Sequence, residues 1–299
     1  MHFALSQEQE ELVSTVRAVL SGSTDGWKVL VEQVGAPALA IPEEYDGAGA
    51  SLFETALVLT ELGASLTPHP LLQTAVATHA LLSAGHHDHL AHLAAGRTAT
   101  VALDDVVLDG DLLLVVRDGV LHEVTAARRT PLAPMDQTLE LCRVSVDETT
   151  PLGPVDEAQL RDVAAALTTA VQVGAMRQCL ELTVSYTKER QQFGRPIGSF
   201  QALKHRMADC YVLLETSQSV SWAAAWAAAN LDDDLALKAA TAKAWCGDAL
   251  DHIASEMVQL HGGIAITWEH PAHHYFKRAH ALGKLFGQAH EHRARLADR

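Results

Sequence analysis

Residues 189–206, ERQQFGRPIGSFQALKHR, gather Arg190, Arg195, Lys204 and Arg206 around a Pro-Ile-Gly break inside otherwise alanine-rich, helical sequence. The chain as a whole is acidic, with a formal net charge of −15. That charge argues against non-specific binding to nucleic acid or to anionic lipid, so a phosphate-bearing ligand would need a local basic site of this kind. A plainer reading stands beside it. Arg190 would equally serve as a helix C-terminal cation that complements the macrodipole, with Pro196 and Gly198 as loop breakers and Gly262-Gly263 as a helix stop.

Other constellations carry less chemistry. Among 17 histidines, His86, His87, His89 and His92, or His270, His273 and His274, have spacings that metal sites use, but no H-E-x-x-H motif or cysteine cluster accompanies them, so no metal is expected. Trp222 and Trp226, one helical turn apart, offer a stacking platform for a nucleotide; their alanine neighbours favour helix packing instead. No G-x-S-x-G elbow and no G-x-G-x-x-G after a strand occurs, which sets aside serine hydrolysis and a Rossmann dinucleotide site.

The elements that must hold these residues read as α+β. A chain of 299 residues allows one or two domains at roughly 150 residues each. An S-x-x-Q capping box at Ser6–Gln9 opens a helix over about 6–21 that the STDG stretch (23–26) ends; further helices are expected over 26–34, 51–66 and 70–85, with PEEYDGAG (42–49) as a loop. Residues 98–145 change to short apolar runs, with Asp109-Gly110 and Asp118-Gly119 as hairpin turns. DETTPLGPVD (147–156) reads as a linker. Long helices over about 156–189, 201–229, 232–261 and 271–298 then form a four-helix bundle. The expected organisation is an N-terminal helical domain (1–97), a small reduced β domain (98–150) and a C-terminal helical bundle (151–299). Four dispersed cysteines and the lack of a signal-type or membrane-spanning apolar run fit a reduced, cytoplasmic protein.

The string Y-x-x-x-R-x-Q-F-G-R-P-I-G-S-F-Q-A-x-K-H-R, together with Q-L-H-G-G-I-A-I-T-W-E-H-P, the opening FALSQEQEELVSTVRAVL and the PEEYDGAGASL loop, resembles the acyl-CoA dehydrogenase family over nearly the whole chain. The resemblance implies FAD as cofactor, an acyl-CoA substrate oxidised between its α and β carbons, and electron-transfer flavoprotein as acceptor. It also implies site residues. Arg190 matches the arginine that reaches the FAD pyrophosphate, Gln192 and Phe193 match positions along the adenosine diphosphate half, and Gln201 matches a position at the start of the next helix. Gln259, Gly262 and Gly263 match the glycine turn that approaches the pyrophosphate of a neighbouring subunit's flavin.

Two departures qualify it. An ungapped count places Phe286 at the family's usual catalytic glutamate, and Ala164 at the alternative position on the first bundle helix; neither can accept a proton. The β unit is short and lacks a T-E-P-x-x-G-S-D-type stretch. Both features, with LFG-x-x-x-E-H-R-x-x-L at 285–296, resemble the partner subunit of actinobacterial-type two-plus-two heterotetramers that act on steroid or other bulky CoA thioesters. The expected partner is therefore a homologous dehydrogenase chain that carries the base. Two rivals remain: a self-sufficient homomeric enzyme with Asp162 or Glu269 as base, and a non-catalytic scaffold that has lost FAD.

Overall fold

The computed structural model describes residues 4–22 and 26–298. Helix α1 (Gln7–Gly22) starts at the expected capping box, where the Gln9 amide N–H donates to Ser6 Oγ (3.3 Å) and the Ser6 N–H donates to Gln9 Oε1 (3.0 Å). Of the STDG stop, residues 23–25 lie outside the described residues. The helix expected over 26–34 is only one turn of α-helix, α2 (Gly26–Val29), followed by a π-helical turn over Leu30–Val34 that closes on Gly35 at φ +67°. Helices α3 (Leu52–Ser65), α4 (Leu71–Ser83) and α5 (Leu90–Ala94) complete the N-terminal part.

A five-stranded sheet follows: β1 (Ala99–Ala102), β2 (Val106–Leu108), β3 (Leu112–Arg117), β4 (Val120–Pro131) and β5 (Leu141–Pro154), in spatial order β1-β3-β4-β5-β2. Asp118-Gly119 is a two-residue hairpin turn with both residues at positive φ, as its sequence requires. Asp109-Gly110 is not a hairpin. Strand β2 pairs with β5, and β3 lies parallel to β1, so this dipeptide carries the chain between separate places in the sheet. The linker expected at 147–156 is also corrected, because β5 continues through it to Pro154 against β4. One register shift in this ladder, between Leu121 and His122, skips Leu152 and falls beside Pro151, which cannot donate to it.

The C-terminal part is built on α6 (Glu157–Glu189), α7 (Gln201–Asn230) and α8 (Leu235–His261). Helix α6 is the central post, with every residue from Asp162 to Met176 buried. Its contact with α3 is backbone to backbone: a Cβ on Gly174 would stand 1.8 Å from Thr60 O, and one on Gly63 would stand 2.1 Å from Val171 O. Buried hydroxyls on α6 are satisfied within the helix, Thr168 and Thr183 donating to the carbonyls of Ala164 and Cys179 at 2.7 Å.

The fourth bundle helix is two helices, α9 (Ala272–Lys284) and α10 (Ala289–Ala297). Phe286 (φ +54°) and Gly287 (φ +98°) turn the chain between them. The fully buried Lys243 of α8 holds this break, its ammonium donating to Leu282 O (3.1 Å) and Gly287 O (3.0 Å). Burial pushes its pKa down to about 8. Among the described residues, no helix is long and apolar enough to cross a membrane.

Candidate functional site

The cationic turn after α6 is a small hairpin. Strands β6 (Gln191–Gln192) and β7 (Arg195–Pro196) pair across a tip made by Phe193 (φ +54°) and Gly194 (φ +76°), and a 3-10 turn over Ile197–Ser199 leads into α7. Arg190 caps α6, its N–H donating to Tyr186 O at 2.9 Å, while its carbonyl accepts from Ile197 N at 2.8 Å. Its guanidinium has no hydrogen-bond or ion-pair partner among the described residues and stands in solvent. Phe193 is 92% exposed, a large apolar side chain held at a backbone angle that non-glycine residues rarely adopt. Arg195 lies over the Phe200 ring (4.1 Å), and Phe193 meets the same ring edge-on (6.1 Å), which fixes the hairpin on the α7 N-terminus.

Gln201 is the first residue of α7, exposed, with Nε2 3.5 Å from His205 Nε2. Gln259 is exposed in the last turn of α8, and the chain leaves that helix through Gly262 (φ +63°, ψ −142°) and Gly263. Nothing lies within 4 Å of where a Cβ would stand on either glycine, so the glycines are not needed for internal packing. The two motifs are neighbours: the Tyr186 hydroxyl, one turn before Arg190, donates to His261 O at 3.3 Å, immediately before Gly262. The Tyr186 and His261 rings stack at 4.4 Å, and His261 packs on His270 at 4.3 Å. Beyond the glycines, Ile266 and Trp268 are also exposed.

Phe286 and Ala164, the two positions expected to lack a base, lie apart. Ala164 is buried inside α6. Phe286 lines a cavity of about 490 Å³ between the sheet and the end of α9. Asp104 and Asp136 are the carboxylates lining that cavity, and each is taken by an arginine: Asp104 by Arg161 (3.2 Å), and Asp136 by Arg278 (2.5 Å), which also donates to Thr138. Asp162, proposed from sequence as an atypical base, accepts from Arg295 Nη2 at 2.7 Å. Glu269 is exposed in the turn after Trp268. Among the described residues, no three metal-ligating side chains are grouped to hold an ion. Trp222 is half-buried and meets Phe53 edge-on at 6.2 Å, as a packing residue does.

Sequence reasoning missed the buried polar ties. Arg278 falls at helical spacing with the buried residues Tyr275, Ala279 and Leu282, and Lys243 with Ala239, Cys246 and Leu250. A cation on an apolar stripe was the available signal.

Comparison with known proteins decides the family. The Acyl-CoA dehydrogenase, N-terminal domain family matches residues 6–94, and the Acyl-CoA dehydrogenase, C-terminal domain family matches residues 159–299. The acyl-CoA dehydrogenase IpdE2 of Mycolicibacterium smegmatis is 46% identical over 279 residues, covering 90% of this chain and 86% of that protein. The chain belongs to the acyl-CoA dehydrogenase family. A solved structure described as the Tcur3481-Tcur3483 steroid ACAD G363A variant superimposes with a TM-score of 0.88 at 27% identity, covering 98% of this chain and 97% of its own. The ChsE4-ChsE5 complex from Mycobacterium tuberculosis has the same fold, with a TM-score of 0.83 at 23% identity, covering 100% of this chain and 98% of that one.

As a family member the chain is an oxidoreductase with FAD as cofactor. The residues present fit the diphosphate part of that group: an unpartnered guanidinium, exposed glutamine amides and a glycine turn with open space over its backbone.

Proposed function

We propose that this chain completes the FAD site of a heteromeric acyl-CoA dehydrogenase whose catalytic base sits on a homologous partner chain. The observation that carries this reading is the unfinished surface around Arg190: its guanidinium is unpartnered while Phe193 beside it is 92% exposed at a strained backbone angle. Such a surface fits a ligand shared with a second chain. The paired name of Tcur3481-Tcur3483 and the ChsE4-ChsE5 complex support assembly with a second chain.

In this assignment Arg190 grips the pyrophosphate, with Gln192, Phe193 and Gln201 along the adenosine diphosphate half. Gln259 donates from the end of α8, and Gly262 and Gly263 let backbone N–H groups approach the diphosphate. Bound FAD supplies the acceptor for the hydride that leaves the β carbon of an acyl-CoA as a partner carboxylate takes the α-proton, electrons passing on to electron-transfer flavoprotein. This chain's own cavity lacks a free carboxylate, in keeping with a base elsewhere.

The test is to express the chain alone and together with a homologue encoded next to it, then measure bound flavin and dehydrogenation. The complex should be yellow and active, and Arg190→Ala should lower flavin retention by about tenfold or more, as the loss of a charge-assisted contact predicts. Full activity of the lone chain would reject the proposal. Asp162→Asn and Glu269→Gln should leave turnover of the folded, flavin-bearing complex unchanged; a collapse in turnover at either with flavin retained would instead place the base on this chain. A complex without flavin would favour the scaffold reading.

A further inference from the structure

A second cavity, of about 630 Å³, lies where the start of α1, the start of α3 and the end of α7 meet. It shares no lining residue with the cavity beside Phe286, and none of the residues assigned to the flavin faces it. Phe53, Trp222 and Trp226 give it aromatic walls, and Gln9, Ser51 and Glu54 its polar groups. The two tryptophans stand one turn apart on the same side of α7, and Phe53 meets Trp222 edge-on at 6.2 Å. Ala224 and Ala225 between them are buried, whereas Trp226 stays exposed. The Lys238 ammonium lies 5.6 Å from the Trp226 ring centroid and is tied to Asp232 at 2.8 Å, but it does not line the cavity, so this ring already accepts a cation from outside it.

Glu54 is the one charged residue lining the cavity among the described residues, and no cation pairs with it there. Ser51 donates to its Oε2 through the N–H (2.9 Å) and the hydroxyl (2.5 Å), and Gln9 Nε2 donates to Oε1 at 2.7 Å. Burial raises the pKa of this carboxyl, but the hydrogen bonds from Ser51 and Gln9 outweigh it and hold the group below the usual carboxylate range. The capping box of α3 explains the hydrogen bonds and leaves the charge surplus, since a glutamine at this position closes the same box. Exposed Asp233 and Asp234 follow the cavity's Asn230, so the local field also favours a cation. Because neutral donors already occupy the carboxylate, it offers charge more than acceptor sites. An ammonium with three N–H groups is poorly served by that arrangement; one whose charge is spread over methyl groups needs no acceptor and suits aromatic faces.

We infer that this cavity binds a small quaternary ammonium ion, with its methyl groups against Phe53, Trp222 and Trp226 and its charge compensated by Glu54. No bond is made or broken there. The site gives the chain a second ligand besides the flavin.

Choline, its neutral isostere 3,3-dimethylbutan-1-ol and its demethylated relative ethanolamine serve as probes, titrated by calorimetry into the full chain alone and in its flavin-replete complex. Choline should bind saturably, one per chain, and about fivefold or more tighter than either of the others, a margin expected of a cation over aromatic rings. Glu54→Gln, checked for folding by circular dichroism, should bring choline to within about twofold of the neutral isostere. Trp226→Ala changes an exposed ring and should weaken choline about fivefold or more. Absence of saturable choline binding up to ~10 mM, ethanolamine or the isostere binding as tightly as choline, or a choline affinity unchanged in Trp226→Ala overturns the inference, as does an undiminished preference for choline in folded Glu54→Gln. The titrations are read without flavin chemistry, so their failure leaves the dinucleotide proposal standing, and loss of flavin leaves this one standing.

Discussion

Tyr186 and His261 stack with ring centroids 4.4 Å apart, and the Tyr186 hydroxyl donates to the His261 carbonyl at 3.3 Å. This contact joins the last turn of α6, which presents Arg190, to the last residue of α8, which precedes Gly262. Tyr186→Phe keeps the stack and removes a hydrogen bond worth about 1 kcal/mol net. The dissociation constant for FAD in the assembled enzyme should rise by about fivefold, read from flavin fluorescence. An unchanged constant would show that the glycine turn keeps its place without this tie.

The Arg278–Asp136 pair should behave as a buried ion pair. Arg278→Leu leaves the buried Asp136 carboxylate with only the Thr138 hydroxyl and N–H as donors and no counter-charge, and should cost about 3–5 kcal/mol in urea unfolding. The double variant Arg278→Leu/Asp136→Leu should be more stable than the single one, because no orphan charge remains. The reverse order would mean that the pair itself supplies net stability.

Gly174→Ala tests a close backbone approach between α6 and α3. Its methyl would collide with the Thr60 carbonyl, which belongs to backbone and cannot rotate away, so α3 must shift from α6 at a cost of about 1–3 kcal/mol or more. Gly283→Ala is the control. It lies inside α9 with open space around the new methyl, and should raise stability by about 0.5–1 kcal/mol through helix propensity. Thermal melts of the two variants should move in opposite directions.

Lys243 gives a pH dependence with a defined sign. Its pKa is about 8 in the fold against 10.5 for the free side chain, so between those values the unfolded chain holds a proton that the folded one has released. Stability from this group therefore grows as pH rises from 8 to 10.5 and is lost as pH falls through 8, by at most ~3 kcal/mol. Lys243→Met removes this titration. The stability of the wild type relative to this variant should increase across that interval, and a constant gap between their unfolding curves would contradict the assignment.

Local chemistry made part of this molecule readable. The capping box at Ser6–Gln9, the positive-φ turn at Asp118-Gly119 and the long apolar stripes of α6, α7 and α8 are each decided within a few residues. Asp109-Gly110 has the same turn chemistry as Asp118-Gly119, yet which strands pair around it depends on β5, more than thirty residues further on. Composition also misled at 147–154, where prolines, a glycine and threonines read as a linker but a long β4 was present to pair with them. The break at Phe286 was hidden because α9 and α10 share a helical pattern, and a lysine on another helix selects the interruption.

At the site, the motif residues were legible and their surroundings were not. Arg190 and Gly262 are far apart in sequence, and although Tyr186 heads the motif, nothing in the sequence shows that its hydroxyl ties the two together through the His261 carbonyl.

Helix α10 has a bearing on how the bundle is completed. Asp162, 4% exposed near the start of the central post, is neutralised by Arg295, and Lys243 closes on a carbonyl at residue 287. Without residues 282–295, a carboxylate and an ammonium inside the bundle would lack the partners they have in the fold. The interior of the bundle is thus completed by contacts made far along the chain from the helices they neutralise.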